Sequence, residues 1–282
     1  MEINTYGVIG SGQMGNGIAQ VAAMSGLYVI MNDIADEFVE KGLATITKNL
    51  DRSVDKGRIT KEDRDGTLGR ISTSIDIRDM ASVDYVVEAA VEREDLKFNI
   101  FKDLDSVCNP SVILATNTSS IPIGRIAAQT SRPEKVIGMH FMNPVPVMKL
   151  VEVIRGLATS DETFETTWEL AKKFGKTPAL SNDFPGFIAN RIAMPMINEA
   201  IFALYHSVGT KEDIDTVMKL GFNHPMGPLA LADLIGLDTC LAIMETLYEG
   251  FKDSKYRPCP LLRKYVEAGW LGRKTGRGFY EY

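Results

Sequence analysis

Residues 5–20 of the chain read TYGVIGSGQMGNGIAQ, and this stretch decides the fold. A short apolar run ends at Gly10, and a helical pattern follows until Gly26, a residue suited to ending a helix. The turn between them has the spacing G-x-G-x-x-G, formed by Gly10, Gly12 and Gly15. The next apolar run, YVIMND, ends at Asp33. A strand, a glycine turn, a helix and a second strand ending in an acid are typical of a doubly wound dinucleotide-binding fold.

The glycine turn has a specific physical use. Without side chains the backbone can approach a pyrophosphate closely, and the start of the following helix offers N–H groups and the positive end of its dipole. Asp33 can accept hydrogen bonds from both ribose hydroxyls of NAD, whereas its charge would repel the 2′-phosphate of NADP. The alternatives are a plain strand–helix turn and a surface acid. The order of the elements favours NAD(H) binding.

The rest of the first half continues the alternation of strand and helix. Later apolar runs, separated by helical stretches, are DYVVEAA, SVILATN, KVIGMHF and KLVEVI. This pattern predicts an N-terminal Rossmann-like α/β domain with a doubly wound sheet. Residues 36–70 do not fit the alternation, because they are charged and helical in composition. We interpret them as a helical excursion from the sheet, with a hairpin turn near Lys56 and Gly57.

The second half is different in character. The segment FIANRIAMPMINEAIFALYH predicts one long helix, since apolar residues recur every three or four positions, and Asp183 and Pro185 are suited to starting it. We therefore predict an NAD-binding domain at residues 1–182 and an all-α domain at residues 183–282. Apolar helices such as LALADLIGLDTCLAIMETL predict that the all-α domain forms a homodimer contact.

Composition excludes several classes of partner. The 282 residues carry a formal net charge of −6, which gives no reason to expect binding to nucleic acid. No apolar run approaches the roughly 20 residues needed to cross a bilayer. The three cysteines are far apart and lack metal-ligand spacing, so we expect reduced thiols, no metal and a cytoplasmic protein.

An enzyme that uses nicotinamide to oxidise an alcohol needs an acid/base group, and histidine is the usual choice near neutral pH. The chain has three histidines. His206 lies at a helix end and His224 in a turn, where structural roles are favoured. His140 ends the strand KVIGMHF, at the sheet edge where ligands bind in open α/β folds. His140 is therefore the candidate acid/base.

Two further polar features belong with this histidine. Glu152 interrupts the apolar run LVEVI, and burying a carboxylate there is costly unless it has a partner, for which His140 is the candidate. The cluster Asn117-Thr118-Ser119-Ser120 follows a strand that ends at the same edge. Hydroxyls and amides there could contact nicotinamide or a substrate oxygen, but such clusters are also ordinary helix caps, and the pattern alone favours the cap.

Long motifs in order along the whole chain resemble the L-3-hydroxyacyl-CoA dehydrogenases, most of all their short, monofunctional bacterial members that act on 3-hydroxybutyryl-CoA. The motifs are GSGQMGNGIAQ, VVEAAVE, ATNTSSIPI, GMHFMNPVPVMKLVEVIRG, DFPGFIANRI, EDIDTVMKLGFNHPMGPLALADLIGLD and LGRKTGRGFYEY. The resemblance implies that (S)-3-hydroxybutyryl-CoA and acetoacetyl-CoA are interconverted with NAD(H). It also implies a place in butyrate or butanol metabolism.

The resemblance assigns roles to individual residues. It places the catalytic histidine on His140 and its carboxylate partner on Glu152. Substrate-contacting polar groups fall on Ser119 and Asn190. The cofactor contacts fall on Gly10, Gly12, Gly15, Asp33, Glu92, Lys97 and Asn117. The helical excursion is where this family holds coenzyme A, which makes Lys56 and Arg52 candidates, although an ordinary solvated basic face is the alternative.

The chain departs from the family pattern at Thr116, Met142 and Ala230, where Ser, Phe and Glu are common. None of these changes removes a proposed catalytic group. Two other functions compete with the implied one. A related NAD-dependent dehydrogenase of free hydroxy or sugar acids would need no pocket for coenzyme A, and a non-catalytic dinucleotide-binding protein would not need the polar set.

Overall fold

The computed structural model describes residues 2–282, which form two compact units with the division between Asp183 and Phe184. The first unit is built on one eight-stranded sheet in the order β3-β2-β1-β4-β5-β6-β7-β8. The strands are Thr5–Ile9 (β1), Tyr28–Asn32 (β2), Ile71–Ser74 (β3), Tyr85–Glu88 (β4), Ile113–Thr116 (β5), Val136–Phe141 (β6), Leu150–Arg155 (β7) and Thr177–Asn182 (β8). All neighbouring pairs are parallel except β6 and β7, which are antiparallel. The predicted doubly wound sheet is confirmed.

The helices of the first unit connect these strands. They are Gln13–Met24 (α1), Asp36–Asp55 (α2), Lys61–Leu68 (α3), Glu94–Val107 (α4), Ile123–Ala127 (α5) and Asp161–Lys173 (α6). The excursion forms the predicted helical hairpin, which turns between Lys56 and Thr60. Thr60 and Asp63 form a capping box that starts α3. Helix α2 packs close to the glycine turn, since a Cβ added at Gly42 would lie 2.8 Å from the Ser11 carbonyl oxygen.

The second unit is helical, as predicted. Its helices are Ala189–Tyr205 (α7), Lys211–Gly221 (α8), Pro228–Ile235 (α9), Leu237–Phe251 (α10) and Pro260–Glu267 (α11). Their apolar faces form a separate core that includes Ile197, Ile201 and Leu247. Buried Asp233 fixes the C-terminal segment, because its carboxylate accepts hydrogen bonds from the backbone N–H groups of Phe279 and Tyr280 at 2.9 Å.

The predicted start of α7 was wrong. Helix α7 begins at Ala189, after a turn, and Asp183 serves another helix. The two Asp183 carboxylate oxygens accept hydrogen bonds from the N–H groups of Ile123 and Gly124, at 2.9 and 2.8 Å, in the first turn of α5. An acid can satisfy helix N–H groups from a distant part of the chain, which local sequence does not reveal.

Candidate active site

His140 and Glu152 face each other across the only antiparallel strand pair of the described sheet. They are directly opposed residues of β6 and β7, and the His140 Nδ1 atom lies 2.8 Å from Glu152 Oε2. Their side chains are 10% and 2% exposed, so the glutamate is buried while the imidazole keeps a small accessible surface. The loop NPVPVM reverses the chain between the two strands, and this reversal produces the opposition. An imidazole hydrogen-bonded to a carboxylate is fixed in orientation and tautomer.

Asn117 brings the polar cluster after β5 to the end of β6. Its Oδ1 atom accepts a hydrogen bond from the Phe141 N–H at 2.8 Å, and its own N–H donates to the Glu88 carbonyl at 2.7 Å. Asn117 therefore ties three neighbouring strand ends together, and its partner Phe141 is adjacent to His140 in the chain. The Asn117 side-chain oxygen thus holds the backbone of β6 in place.

The Glu92 carboxylate accepts hydrogen bonds from the three residues that follow Asn117. Its Oε1 atom accepts from Thr118 Oγ1 at 2.6 Å, from the Ser119 N–H at 2.8 Å and from Ser120 Oγ at 2.9 Å. Burial raises the pKa of Glu92, whereas Lys97 and these donors lower it, and the net pKa lies below the usual value for glutamate. A fixed carboxylate thus holds the turn that carries Ser119, whose Oγ atom lies 3.3 Å from Glu92 Oε1.

Lys97 is enclosed between carboxylates. Its side chain is 1% exposed, and its Nζ atom lies 2.6 Å from Glu88 Oε1 and 3.3 Å from Glu92 Oε2. Glu88 is fully buried and also accepts hydrogen bonds from the Ala90 N–H and from Thr116 Oγ1, each at 2.7 Å. This geometry supports a role for Lys97 in holding Glu92, and the predicted direct contact of Lys97 with the cofactor stays a prediction.

The glycine turn has the close contacts that its spacing predicts. A Cβ at Gly15 would lie 1.7 Å from the Gly10 carbonyl oxygen, so no side chain fits at this position. A Cβ at Gly12, the N-cap residue of α1, would meet no protein atom within 4 Å. The space beside Gly12 is therefore open, and no side chain caps the first turn of α1. Such a helix start is suited to an anionic group.

Asp33 is tied to this turn. One carboxylate oxygen accepts hydrogen bonds from the N–H and the Oγ of Ser11, each at 2.7 Å, and the other accepts from the Ile34 N–H at 2.8 Å. A cavity of about 500 Å³ is bounded by Gly12, Asp33 and Lys41 of α2. Open space at the helix start, together with an ordered acid beside it, fits a dinucleotide with free ribose hydroxyls.

The remaining predicted residues lie elsewhere. Arg52 and Lys56 are exposed on the excursion, at the end of α2, and Asn190 lies in the first turn of α7 in the second unit. The departure at Thr116 is accommodated by a side-chain hydrogen bond, whereas at Ala230 only the backbone makes one. Thr116 donates to Glu88, and the Ala230 N–H donates to a carboxylate oxygen of Asp215 at 3.0 Å.

Sequence reasoning missed Glu88 and Lys41. Glu88 shows the same signal as Glu152, a carboxylate inside the apolar run DYVVEAA, but the run predicts a strand and a family motif without assigning a role to Glu88. Lys41 lies in the second turn of α2, and nothing in its local sequence indicates that it borders the same cavity as Asp33.

Both units of the chain match known domains. Residues 5–184 match the 3-hydroxyacyl-CoA dehydrogenase NAD binding domain, and residues 186–282 match the 3-hydroxyacyl-CoA dehydrogenase C-terminal domain. The chain belongs to the 3-hydroxyacyl-CoA dehydrogenase family. It is an NAD-dependent oxidoreductase, and NAD(H) is its cofactor.

Individual members of the family are similar over nearly the whole length. The chain is 59% identical to the 3-hydroxybutyryl-CoA dehydrogenase of Bradyrhizobium diazoefficiens, covering 99% of this chain and 96% of that relative. It is 51% identical to the 3-hydroxybutyryl-CoA dehydrogenase of Clostridioides difficile, covering 98% of each chain. The crystal structure of (S)-3-hydroxybutyryl-CoA dehydrogenase from Ralstonia eutropha matches with a TM-score of 0.98 and 54% identity, covering 100% of this chain and 99% of that one.

The position of Asp33 predicts the preference between the two nicotinamide cofactors. A carboxylate beside a 2′-phosphate is repulsive, so kcat/KM should be higher with NADH than with NADPH by on the order of ten- to a thousandfold. Asp33→Ser should narrow this ratio, since Lys41 borders the same cavity and can attract the phosphate. The matched control is Asp33→Ser combined with Lys41→Met, which should lose the gained NADPH activity. Equal kcat/KM values in the unmodified protein would contradict the argument.

Proposed function

We propose that the protein catalyses the reversible interconversion of (S)-3-hydroxybutyryl-CoA and acetoacetyl-CoA. The His140–Glu152 pair carries this proposal, because it supplies an ordered imidazole with partial access at the sheet edge where ligands bind. The names of the similar dehydrogenases support the choice of substrate. NAD(H), when bound, supplies or accepts the hydride at C3 of the acyl group.

His140 moves the proton in this scheme. Because Nδ1 is engaged by Glu152, proton exchange with the substrate oxygen falls to Nε2. In the reducing direction the imidazolium donates a proton to the carbonyl oxygen, and in the oxidising direction the imidazole accepts the hydroxyl proton. Glu152 stabilises the imidazolium and holds the ring in place. The turn fixed by Glu92 carries Ser119, whose hydroxyl donates to Glu92 at 3.3 Å and, with substrate bound, donates instead to the developing oxyanion. Asn190 keeps the substrate-contacting role that the resemblance implies.

Substrate profiling tests the proposed function. The initial rate of NADH oxidation is measured with acetoacetyl-CoA and, separately, with free acetoacetate over the same range of concentrations. We expect a kcat/KM for the thioester at least a hundredfold above that of the free acid, since the coenzyme A part contributes binding energy. Equal activity on the two would favour a dehydrogenase of free hydroxy acids. Binding of NADH without turnover of either compound would favour a dinucleotide-binding protein.

Coenzyme A is proposed to contact the helical excursion at Lys56, with Arg52 as a second cation. Lys56→Glu should raise the KM for acetoacetyl-CoA several-fold at low salt, and the effect should shrink as salt is added, because exposed charge contacts are screened. The KM for NADH should hardly move. Lys102→Glu, an exposed lysine on α4, is the matched control and should leave both constants unchanged. An unaltered thioester KM in Lys56→Glu would assign this residue to an ordinary solvated face.

A homodimer through the second unit is also proposed. Val217, Leu220 and Phe222, at the end of α8, are 57%, 80% and 68% exposed, and an apolar group of this kind usually marks a contact. Light scattering at micromolar concentration should give twice the mass of the chain. Leu220→Asp combined with Phe222→Asp should give monomers, whereas Leu157→Asp, at a fully exposed position in the first unit, should not. A monomeric unmodified protein would contradict this assembly.

The cellular location is proposed to be the cytoplasm. Cys108, Cys240 and Cys259 are free thiols and all three are buried, which fits a reducing compartment. None of the helices among the described residues has the length and apolar character needed to cross a membrane.

A further inference from the structure

Lys176 is a buried cation whose hydrogen-bond partners are backbone carbonyls. The residue is 9% exposed, and its Nζ atom donates to the carbonyl oxygens of Val145 and Met148 at 2.5 and 2.8 Å. Within residues 2–282 it forms no salt bridge with a carboxylate. Burial lowers the pKa of Lys176. Because a buried ammonium is costly unless its hydrogen bonds are made, the two carbonyls and the lysine hold each other in place.

These carbonyls belong to the loop between β6 and β7, which we call the 143–148 turn. It is closed by hydrogen bonds from the N–H groups of Val147 and Met148 to the Pro144 carbonyl, each at 3.0 Å. The turn joins the strand of His140 to the strand of Glu152. Lys176 immediately precedes β8, the strand that pairs with β7. It therefore attaches the turn to the strand next to the antiparallel pair.

The 143–148 turn is also a wall of the dinucleotide cavity. Its lining residues are Asn143, Pro144, Val145 and Pro146, opposite the glycine turn. Val145 is 1% exposed and lies against α1, since a Cβ added at Gly17 would be 2.8 Å from the Val145 Cβ. The turn is therefore held from two sides. Gly17 of α1 packs against the Val145 side chain, and the Lys176 ammonium binds the backbone carbonyls.

We propose that Lys176 is a positioning residue for NAD(H), which fixes the 143–148 turn as the wall of the cofactor cavity. It acts through the backbone of the turn and does not touch the cofactor. This role is independent of the acyl substrate, because the cavity wall belongs to the dinucleotide side of the site.

The test replaces Lys176 with Met, which keeps the chain length and removes the donors. We expect the Kd for NADH, measured by the quenching of protein fluorescence, to rise about tenfold, since two hydrogen bonds that order the wall are lost. Lys176→Arg, which keeps a cation with several donors, should restore the Kd to within about threefold. Lys173→Met is the matched control, because Lys173 is exposed and its Nζ atom reaches only the Ile3 carbonyl at 3.4 Å. This control should bind NADH like the unmodified protein.

Urea unfolding of each variant separates positioning from general stability. A purely structural lysine would lower the unfolding midpoint of Lys176→Met and leave the Kd of the folded protein unchanged, and that result would overturn the proposal. If Lys176→Met does not fold, Gly17→Ala tests the role of the wall instead. The added methyl group would push Val145, and with it the 143–148 turn, away from α1. A raised Kd for NADH in Gly17→Ala supports the role of the wall, and an unchanged Kd overturns it.

Discussion

His140→Gln should lower kcat for acetoacetyl-CoA reduction by roughly a hundredfold to ten-thousandfold, the usual contribution of a positioned acid/base. The glutamine preserves much of the shape and can still accept or donate hydrogen bonds, but it cannot carry a proton between water and the substrate. The Kd for NADH should change less than twofold, since the glycine turn and Asp33 are separate from the imidazole.

Steady-state kinetics with saturating NADH measure this loss. His206→Gln is the matched control, because His206 is an exposed residue at the end of α7 and should leave kcat unchanged. A variant at His140 that retains more than a tenth of the original kcat would show that another group transfers the proton.

The second large effect is expected on stability, at Lys97. Lys97→Met leaves the Glu88 carboxylate buried without its cation, and breaking a buried ion pair on one side costs about 3–5 kcal/mol. Urea unfolding should show this loss as a lower midpoint with a nearly unchanged slope. Lys102→Met, on the exposed face of the same helix, should be neutral. A loss below about 1 kcal/mol would mean that the pair is weakly coupled.

A compensated variant separates the stability of the ion pair from its function. Glu88→Leu, Thr116→Val and Lys97→Met together remove both charges and the Thr116 hydroxyl, so part of the stability should return. The recovery should be incomplete, because the Ala90 and Thr118 N–H groups lose the acceptors that Glu88 and Thr116 supply. If Lys97 also orders Glu92 for the cofactor, Lys97→Met should raise the Kd for NADH, and this Kd should stay raised in the triple variant because Glu92 still lacks its cation. Recovery of both properties would show that Lys97 serves only the packing of the core.

The glycine turn could be predicted from sequence because the features that reveal it are local, although Gly10 also lies against the distant backbone of Ala89. The spacing from Gly10 to Gly15 and the acid at the end of the next strand are properties of one strand–helix–strand unit. The helical hairpin was predicted for the same reason. Its turn after Lys56 is followed by a capping box, both of which are short-range features.

Long-range partners could not be predicted in this way. Asp183 was interpreted as the start of the helix that follows it, but its carboxylate caps α5, about sixty residues earlier in the chain. Nothing in the local sequence indicates a structural role for Lys176, since its hydrogen-bond partners are backbone carbonyls that any sequence would supply. Glu152 stood out only because a carboxylate in an apolar strand requires a partner, and Glu88 carried the same signal.

The central claim is that His140 and Glu152 act as one acid/base unit. A double-mutant cycle with His140→Gln, Glu152→Gln and the double variant tests it most directly, with kcat for acetoacetyl-CoA reduction as the readout. We expect Glu152→Gln to lower kcat substantially, and the double variant to be less than about threefold slower than His140→Gln alone, because a carboxylate cannot orient an imidazole that is absent. Losses that multiply as independent factors would contradict the claim, since Glu152 would then contribute to the reaction without His140.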